Sequence, residues 1–327
     1  MKQLLVIFGS TSTGKTDLAL KLAEKFNGEL VACDSRQVYV GLDIGTGKAP
    51  SSKFKIQNSK FKKGNKFWEF NGVKIWMYDV TDPGKQYTVY DYVKDAERII
   101  DEIFKRGKLP IIVGGTGLYL KALLEGLSNL AIPMDQKLRN SLETLSRDEL
   151  QKKLQKISPQ KWQQMNYSDR QNPRRLIRAV EIASTNFTSD GGPKGLLRGG
   201  FKTLKIGLTA PRQILYRRID ERVINRMNQG MLDEAERLRK TGMTFKRMRQ
   251  LGLEYGVLAD YLEGKIKNKN ELIRVLQGKI HGFARRQITW FKKASLPAGR
   301  EKNTFWFDIT EKEFAGRVEN LVAKWYD

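Results

Sequence analysis

Cysteine and histidine are scarce in this sequence of 327 residues, and acidic side chains are far fewer than basic ones. The one cysteine, Cys33, excludes an internal disulfide, and the one histidine, His281, leaves too few ligands for a zinc site. The same scarcity disfavours nucleophilic catalysis by a cysteine–histidine pair. We therefore expect neither a disulfide-stabilised scaffold nor a zinc enzyme.

Long apolar runs are also lacking. No stretch reaches the roughly 20 apolar residues that a membrane-spanning helix needs, and the N-terminus leads directly into a predicted strand without a signal peptide. We expect a soluble, reduced, cytoplasmic protein without membrane contact.

The net charge of the chain is strongly positive. It has 36 acidic residues and 60 lysines and arginines, which gives a formal net charge of +24. This excess indicates a polyanionic partner, with a generally basic proteome as the alternative.

A glycine-rich stretch follows the first apolar run, Leu4–Phe8, and precedes a segment with helical periodicity. Its pattern, G-x-x-x-x-G-K-[ST], is typical of a loop whose backbone N–H groups surround phosphates at a helix N-terminus. Lys15 would reach the outer phosphates, and the Thr16 hydroxyl would hold a Mg²⁺ ion. The predicted phosphate-binding residues are Gly9, Ser10, Thr11, Ser12, Thr13, Gly14, Lys15 and Thr16.

The first 130 residues alternate strand-like and helix-like segments, which predicts an α/β fold with a parallel sheet and crossover helices. The predicted strands are Leu4–Phe8, Glu29–Ala32, Lys74–Val80 and Leu109–Val113, and the helices are Lys15–Phe26, Val89–Arg106 and Gly117–Leu124. Within this region, Lys66–Phe70 and Val73–Met77 flank Asn71-Gly72, which predicts a hairpin. Its neighbourhood from Lys53 is basic, so both a nucleic-acid contact and a solvated surface are open.

Polar helical segments replace this pattern between residues 133 and 201, and strand character returns at Thr203–Leu208. We therefore predict a P-loop-like core of residues 1–132 and 202–327, interrupted by an all-helical insertion of residues 133–201 that ends in a Gly-rich loop, 189–200. Residues 135–203 carry 14 basic and 7 acidic side chains, a net +7. After them come a long amphipathic helix, Arg212–Thr241, a final strand, Thr304–Ile309, and a final helix, Glu311–Trp325.

Two polar segments follow predicted strands of the core. Asp34 follows the second strand, and Gly114-Gly115-Thr116-Gly117 follows the fourth. Ligands of open parallel sheets bind outside the carboxyl ends of the strands, so both segments are expected beside the phosphate loop. Asp34 would serve as a general base or as a Mg²⁺ ligand through water, with a turn or helix cap as the structural alternative.

Basic clusters occur at three places in the second half of the chain. Arg174, Arg175 and Arg178 lie on one side of a predicted helix, Arg217, Arg218 and Arg222 lie on the next one, and Arg285–Lys293 mixes cations with Trp290 and Phe291. Contact with RNA or DNA phosphates and base stacking fit these clusters. Solvated helix faces, and core packing for the aromatics, are the alternatives.

Together these motifs resemble those of the tRNA dimethylallyltransferases, also called tRNA isopentenyltransferases. The matching stretches are Gly9–Thr16, Asp34–Tyr39, Gly114–Tyr119, Asn172–Glu181 and Arg286–Phe291, which occur in the order of the family and span nearly the whole chain. The resemblance implies a P-loop NTPase-like parallel sheet with an inserted helical domain. In isolation the phosphate loop predicts a nucleotide such as ATP; beside the other motifs it predicts the pyrophosphate of an isoprenoid donor.

The resemblance further implies that a dimethylallyl group moves from dimethylallyl pyrophosphate to N6 of an adenosine at position 37, 3′ of the anticodon, in tRNA. Asp34 would accept the N6 proton, while Lys15, Arg222 and Mg²⁺ at Thr16 would stabilise the leaving pyrophosphate. The implied tRNA contacts are Asp34, Ser35, Arg36, Gln37, Thr116, Arg139, Arg174, Arg175, Arg178, Arg285, Arg286 and Gln287. The insertion would clamp the anticodon stem-loop, and we expect a monomer.

Gly252-Leu253-Glu254 departs from the family, whose members usually have Gly-Tyr and a basic residue there. Glu254 would repel phosphate, which argues against RNA contact by residues 249–254. The alternative functions are a P-loop nucleotide kinase or adenylate isopentenyltransferase, against which the basic insertion argues, and an RNA-binding protein without catalysis, for which Asp34 would be dispensable.

Overall fold

The computed structural model describes residues 2–49, 61–127, 129–130, 132, 134–185, 195–292 and 303–326. Three predictions concern residues outside these ranges: the basic segment from Lys53 to residue 60, the first part of the Gly-rich loop, residues 189–194, and Lys293. The last part of the Gly-rich loop forms a short 3-10 helix, Leu196–Gly199.

An eight-stranded, mostly parallel sheet confirms the predicted fold class. Its strands are β1 (Gln3–Gly9), β2 (Gly28–Cys33), β3 (Phe61–Gly64), β4 (Phe67–Phe70), β5 (Val73–Trp76), β6 (Leu109–Gly114), β7 (Lys202–Thr209) and β8 (Thr304–Asp308). Their order across the sheet is β3-β4-β5-β2-β6-β1-β7-β8. The central strand β1 is buried along nearly its whole length, as expected of an apolar strand with covered faces on both sides.

Fourteen α-helices are formed by the described residues. They are α1 (Lys15–Lys25), α2 (Val89–Lys105), α3 (Gly117–Glu125), α4 (Gln136–Leu142), α5 (Arg147–Ile157), α6 (Pro159–Gln164), α7 (Tyr167–Arg170), α8 (Pro173–Ala183), α9 (Arg212–Asn228), α10 (Met231–Lys240), α11 (Phe245–Leu251), α12 (Leu253–Leu262), α13 (Lys269–Lys292) and α14 (Phe314–Tyr326). None of these helices combines the length and the apolar character that crossing a membrane would require.

The hairpin predicted around Asn71-Gly72 is confirmed, because β4 and β5 pair antiparallel across this turn. Both turn residues have positive φ, 50° and 83°, which is the conformation that Asn-Gly favours in two-residue turns. The strand predicted over Lys74–Val80 is wrong at its end, since β5 stops at Trp76. Met77 (φ 69°) and Asp79 (φ 54°) adopt left-handed backbone, which cannot continue a strand.

The single helix predicted over Arg212–Thr241 is also wrong. It is two helices, α9 and α10, separated at Gly230, whose φ of 92° interrupts the helical backbone. Residues on α9 to α13 form a second core beside the sheet, in which Val223, Leu258 and Leu276 are almost completely buried. This core holds α9 and α13 in place, and both helices contribute side chains to the site described below.

The chain divides into two compact units, residues 1–125 with 195–327, and residues 126–194. The predicted boundaries of the insertion were 133 and 201. The second unit is helical in its described residues and has its own core, which includes Leu150, Leu154 and Leu176. Its helices begin at well-formed caps: Ser146 and Glu149 form a capping box at α5, and Asn172 caps α8.

Candidate active site

The phosphate loop joins β1 to α1, as the sequence predicts. Gly9 (φ 147°) lies against β7, where an added Cβ would come within 2.3 Å of the Leu208 carbonyl oxygen. Gly14 (φ 81°) directly precedes α1. Close strand approach and left-handed backbone both require glycine here. The loop therefore presents the N-terminus of α1 to the carboxyl end of the sheet, where an anion is stabilised.

Two cations lie over this loop. Lys15 Nζ donates to the Ser10 carbonyl (2.5 Å), and Arg222 Nη1, from α9, donates to Thr11 Oγ1 (3.2 Å). Burial and the neighbouring charge of Arg222 lower the pKa of Lys15 to about 7, although Asp34 acts in the opposite direction. Burial and Arg226 lower the pKa of Arg222 to about 9. Cations that destabilise one another in this way are suited to an incoming polyanion.

Asp34 lies directly after β2, in a turn that the carboxylate itself stabilises. Its Oδ1 accepts a hydrogen bond from the Arg36 amide (2.9 Å). The Ser35 amide donates to Thr116 Oγ1 (3.2 Å), and the Thr116 amide donates to the Cys33 carbonyl (3.2 Å). The segments after β2 and β6 are therefore joined, as expected for neighbouring parallel strands whose carboxyl ends meet.

Arg36 and Gln37 contact protein groups with part of their polar atoms. Arg36 Nε donates to the Leu251 carbonyl (2.8 Å), and its guanidinium lies 5.6 Å from the centre of the Phe283 ring. Gln37 Nε2 lies 3.2 Å from the Gly47 carbonyl. These contacts determine the orientation of both side chains before any substrate is present.

A cleft of about 1040 Å³ opens at the carboxyl ends of β1, β2 and β6. Most of the predicted core residues line it: Thr11, Ser12, Gly14, Lys15, Thr16, Asp34, Arg36, Gln37, Arg222 and Gln287. Gly9 and Ser10 line a smaller cavity of about 330 Å³ next to it, with Phe291 and Trp306. The structure thus brings the predicted general base, the phosphate loop and Arg222 into one cavity.

Gln287 occupies a different position from the one that a direct tRNA contact suggests. It is 7% exposed on α13, where its Oε1 accepts from the Thr11 amide (2.8 Å) and its Nε2 donates to the Gly115 carbonyl (2.9 Å). Gln287 thereby connects the phosphate loop with the glycine pair after β6. Its neighbours Arg285 and Arg286 are exposed on the same helix.

The residues near the phosphate loop fit a Mg²⁺ ion. Thr16 and Asp17, in the first turn of α1, line the cleft together with Asp34 and Glu221. Mg²⁺ prefers oxygen ligands and commonly binds through one or two side chains, substrate phosphates and water. Among the described residues no cluster of three or more acidic, histidine or cysteine side chains forms a complete metal cage. This composition suits a metal that is shared with a phosphorylated ligand.

The predicted tRNA contacts of the helical unit fall into two groups. Arg139 makes a bidentate ion pair with the buried Glu181 (2.6 and 2.9 Å), and Arg178 binds Glu181 (3.2 Å) and the Ile132 carbonyl (2.8 Å). These two arginines therefore stabilise the unit itself. Arg174 and Arg175 are exposed on α8, with Arg175 paired to Asp169.

Glu254 has a role that the sequence did not reveal. It is 7% exposed and lies 3.5 Å from Arg226 Nη1, so its charge is balanced by a buried guanidinium. Arg226 was also not identified from the sequence, although it lies one helical turn after Arg222 on α9. Arg249 pairs with Asp260 (2.9 Å) and with Glu263.

The sequence matches a known protein family over most of its length. Residues 37–294 match the family model described as IPP transferase, and residues 2–63 match one described as isopentenyl transferase. The chain is 38% identical over 290 residues to tRNA dimethylallyltransferase 1 of Geotalea daltonii, covering 89% of this chain and 86% of that protein. It is 36% identical over 327 residues to the tRNA dimethylallyltransferase of Thermomicrobium roseum, covering 99% and 91%.

A solved structure shows the same similarity. The full-length tRNA isopentenylpyrophosphate transferase of Bacillus halodurans matches with a TM-score of 0.67 and 32% identity, covering 99% of this chain and 97% of that one. Sequence and fold thus point to the same set of relatives over nearly the whole chain.

Proposed function

The chain belongs to the IPP transferase family, and we propose that it transfers a dimethylallyl group from dimethylallyl pyrophosphate to N6 of an adenosine next to the anticodon of tRNA. The observation that supports this best is the content of one cleft. A carboxylate, Asp34, lies there with the phosphate loop and with Arg222. Such a cleft offers a base to an incoming amine and cations to a leaving pyrophosphate.

In the proposed reaction the N6 nitrogen forms a bond to the first carbon of the allyl group. The bond from that carbon to the pyrophosphate oxygen breaks, and the electron pair leaves with pyrophosphate. Asp34 accepts the proton that the amine loses. Lys15, Arg222 and the amides of the loop stabilise the negative charge that develops on the leaving group.

Mg²⁺ at Thr16 would add further positive charge beside the pyrophosphate. The Thr16 hydroxyl and the nearby carboxylates would hold the ion together with phosphate oxygens and water. Lys15 and Arg222 would contact the pyrophosphate directly, because both line the cleft beside the loop.

The adenosine must leave its stack to enter this cleft. Asp34, Ser35, Arg36 and Gln37 would contact the extruded nucleotide. Thr116 and Gln287 would support the adjacent loops. Of the remaining arginines predicted to bind tRNA, the exposed ones would contact the stem-loop, namely Arg174, Arg175, Arg285 and Arg286. Arg139 and Arg178 would hold the helical unit together through Glu181. All residues of the proposed chemistry come from one chain, so the reaction needs no second copy. A tRNA substrate also implies a cytoplasmic enzyme.

Substitution of Asp34 tests the proposal directly. We expect Asp34→Asn to lower the transfer rate about 10²- to 10⁴-fold, the typical contribution of a general base. The amide oxygen can still accept from the Arg36 amide, so the turn should persist and stem-loop binding should change little. The measurement is transfer of label from dimethylallyl pyrophosphate to an anticodon stem-loop, beside a direct binding assay.

Parallel reactions separate the alternative functions. ATP replaces the prenyl donor in one set, and AMP replaces the stem-loop in another. Label in the stem-loop from the prenyl donor alone supports the proposal. Label in AMP would instead identify an adenylate isopentenyltransferase or a nucleotide kinase, and ATP hydrolysis without prenyl transfer would exclude the proposed reaction.

A further inference from the structure

Lys48 is a completely buried cation that has no part in the proposed chemistry. Its Nζ donates to the Tyr39 carbonyl (2.6 Å), to Asp43 Oδ1 (2.7 Å) and to Asp79 Oδ1 (2.5 Å). These three acceptors use all three N–H groups of the ammonium. A buried charge is tolerated only when it is paired and fully hydrogen-bonded, so this cluster specifies one geometry.

Both carboxylates of the cluster also bind the hairpin of β3 and β4. Trp68 Nε1 donates to Asp79 Oδ2 (2.6 Å), and Lys63 Nζ donates to Asp43 Oδ2 (2.8 Å). The Lys63 ammonium lies 4.3 Å from the centre of the Trp68 ring. The hairpin of β3 and β4 is therefore connected to Asp43, which lines the cleft.

The cluster includes both ends of the turn of residues 43–48, Asp43 and Lys48, and this turn contacts Gln37. The Thr46 and Gly47 carbonyls lie 3.4 and 3.2 Å from Gln37 Nε2, and the Gly45 carbonyl accepts from Arg226 (3.0 Å). Gln37 lines the cleft, and because the turn engages its amide nitrogen, its amide oxygen would be the atom available to a substrate there. A hydrogen-bond donor such as an exocyclic amine suits that oxygen.

The other side of the turn is held by Glu234, a 3% exposed carboxylate on α10. It accepts from the amides of Asp43 (2.9 Å), Ile44 (2.7 Å) and Gly45 (2.9 Å). Its Oε1 also accepts from the Tyr255 hydroxyl (2.6 Å). The contacts on both sides of the turn therefore fix its position relative to Gln37.

We propose that Lys48 is a positioning residue of the transfer reaction, which acts through the turn of residues 43–48 to orient the Gln37 amide toward the nucleotide. The hairpin contributes through Trp68, which fixes the Asp79 carboxylate. This inference rests on the proposed function, because it assigns Gln37 to the nucleotide side of the cleft. It predicts that Lys48 affects kcat/KM for the stem-loop and leaves KM for the prenyl donor nearly unchanged.

A double-mutant cycle with Gln37 tests the inference. We expect Lys48→Met to lower kcat/KM for the stem-loop about 10- to 100-fold, as loss of a supporting contact commonly does, with less than a twofold change in KM for dimethylallyl pyrophosphate. Gln37→Ala should lower it similarly. Since both act through one amide, Lys48→Met should cause little further loss in the Gln37→Ala background.

Two further variants distinguish positioning from general damage. Lys48→Arg keeps the charge and should recover part of the activity. Trp68→Phe keeps an aromatic ring but removes the indole N–H donor, so it should cause a smaller loss in the same direction, again absent in the Gln37→Ala background. Trp68→Phe carries the test if Lys48→Met does not fold, as judged by circular dichroism and thermal unfolding.

The outcomes separate this inference from the function on which it rests. Losses that multiply in the double variants, or a rise in KM for dimethylallyl pyrophosphate as large as the loss in kcat/KM for the stem-loop, would overturn the role of Lys48 while wild-type transfer stands. If wild-type protein transfers no label to the stem-loop, the proposed function fails, and the inference fails with it.

Discussion

Lys15 illustrates how one residue prepares a site for an anion. Burial and the charge of Arg222 lower its pKa to about 7, so near neutral pH the ammonium is partly deprotonated in the free protein. A bound pyrophosphate supplies the counter-charge that is missing and raises the pKa again. Binding of the donor and protonation of Lys15 are therefore linked.

We expect the prenyl donor to bind with uptake of about one proton at pH 8, where the free Lys15 is mostly neutral and the donor is already ionised. Its affinity should fall as the pH rises above about 7, by up to about tenfold per unit. Titration calorimetry in buffers of different ionisation enthalpy measures this uptake. Lys15→Arg, which stays charged, should show little uptake, and equal uptake by both proteins would contradict the assignment.

Glu254 shows that the sequence does not reveal the partner of a charged residue. Its charge predicted repulsion of phosphate, but in the structure it is buried against Arg226, which lies on another helix. A side chain's charge is visible in the sequence, whereas its partner is decided by how α9 and α12 pack. The predicted roles of Asp34 and Lys15 did not depend on such a partner, since both follow directly from position at the end of a strand or in a loop.

At the scale of helices and strands, the geometry around the phosphate loop is determined by two glycine-containing segments and one helix. The loop after β1 and the segment after β6 belong to strands that pair in the sheet. Gln287 of α13 adds a direct connection between them through the oxygen and the nitrogen of its side-chain amide. Both backbone partners would lose a hydrogen bond if this side chain were apolar.

We expect Gln287→Leu to weaken binding of dimethylallyl pyrophosphate about tenfold or more, because an unpaired buried amide or carbonyl costs about 1–3 kcal/mol and the loop would shift to relieve it. Thermal unfolding should occur at a lower temperature for the same reason. The matched control is Thr289→Ala, an exposed position on the same helix. Unchanged donor affinity in Gln287→Leu would show that the sheet alone holds the two segments.

At the scale of the whole molecule, positive charge is distributed over both units. The formal net charge is +24, of which residues 205–300 contribute +13, with 22 basic and 9 acidic side chains. Arg285 and Arg286 are exposed members of this set on α13. Phosphate contacts of this kind release counterions, which makes RNA affinity strongly dependent on salt.

We expect affinity for the anticodon stem-loop to fall about 10³-fold between 50 and 200 mM salt if about six phosphates are neutralised. Arg285→Gln and Arg286→Gln should each reduce the slope of log affinity against log salt by about one. Lys312→Gln, at an exposed lysine outside the predicted contacts, should leave it unchanged. Identical slopes in all variants would place the RNA elsewhere.

The sequence by itself determined the phosphate loop, the parallel strands with Asp34 at the end of one of them, and the family, because these depend on short patterns of apolar and glycine residues. It also predicted the Asn71-Gly72 turn, a local preference of two residues. It did not predict the end of β5 or the break at Gly230, where left-handed backbone overrides the periodic pattern.

Only the tertiary structure decided which polar groups meet. Gln287 reaches the phosphate loop across 276 positions of sequence, and Glu234 reaches the turn at Asp43 across 191. Lys48 is recognisable as buried only when the hairpin and the turn are packed around it. Hydrogen bonds and ion pairs of this kind depend on distances in space of about 3 Å, and these distances are set by how helices and sheet pack rather than by any local pattern.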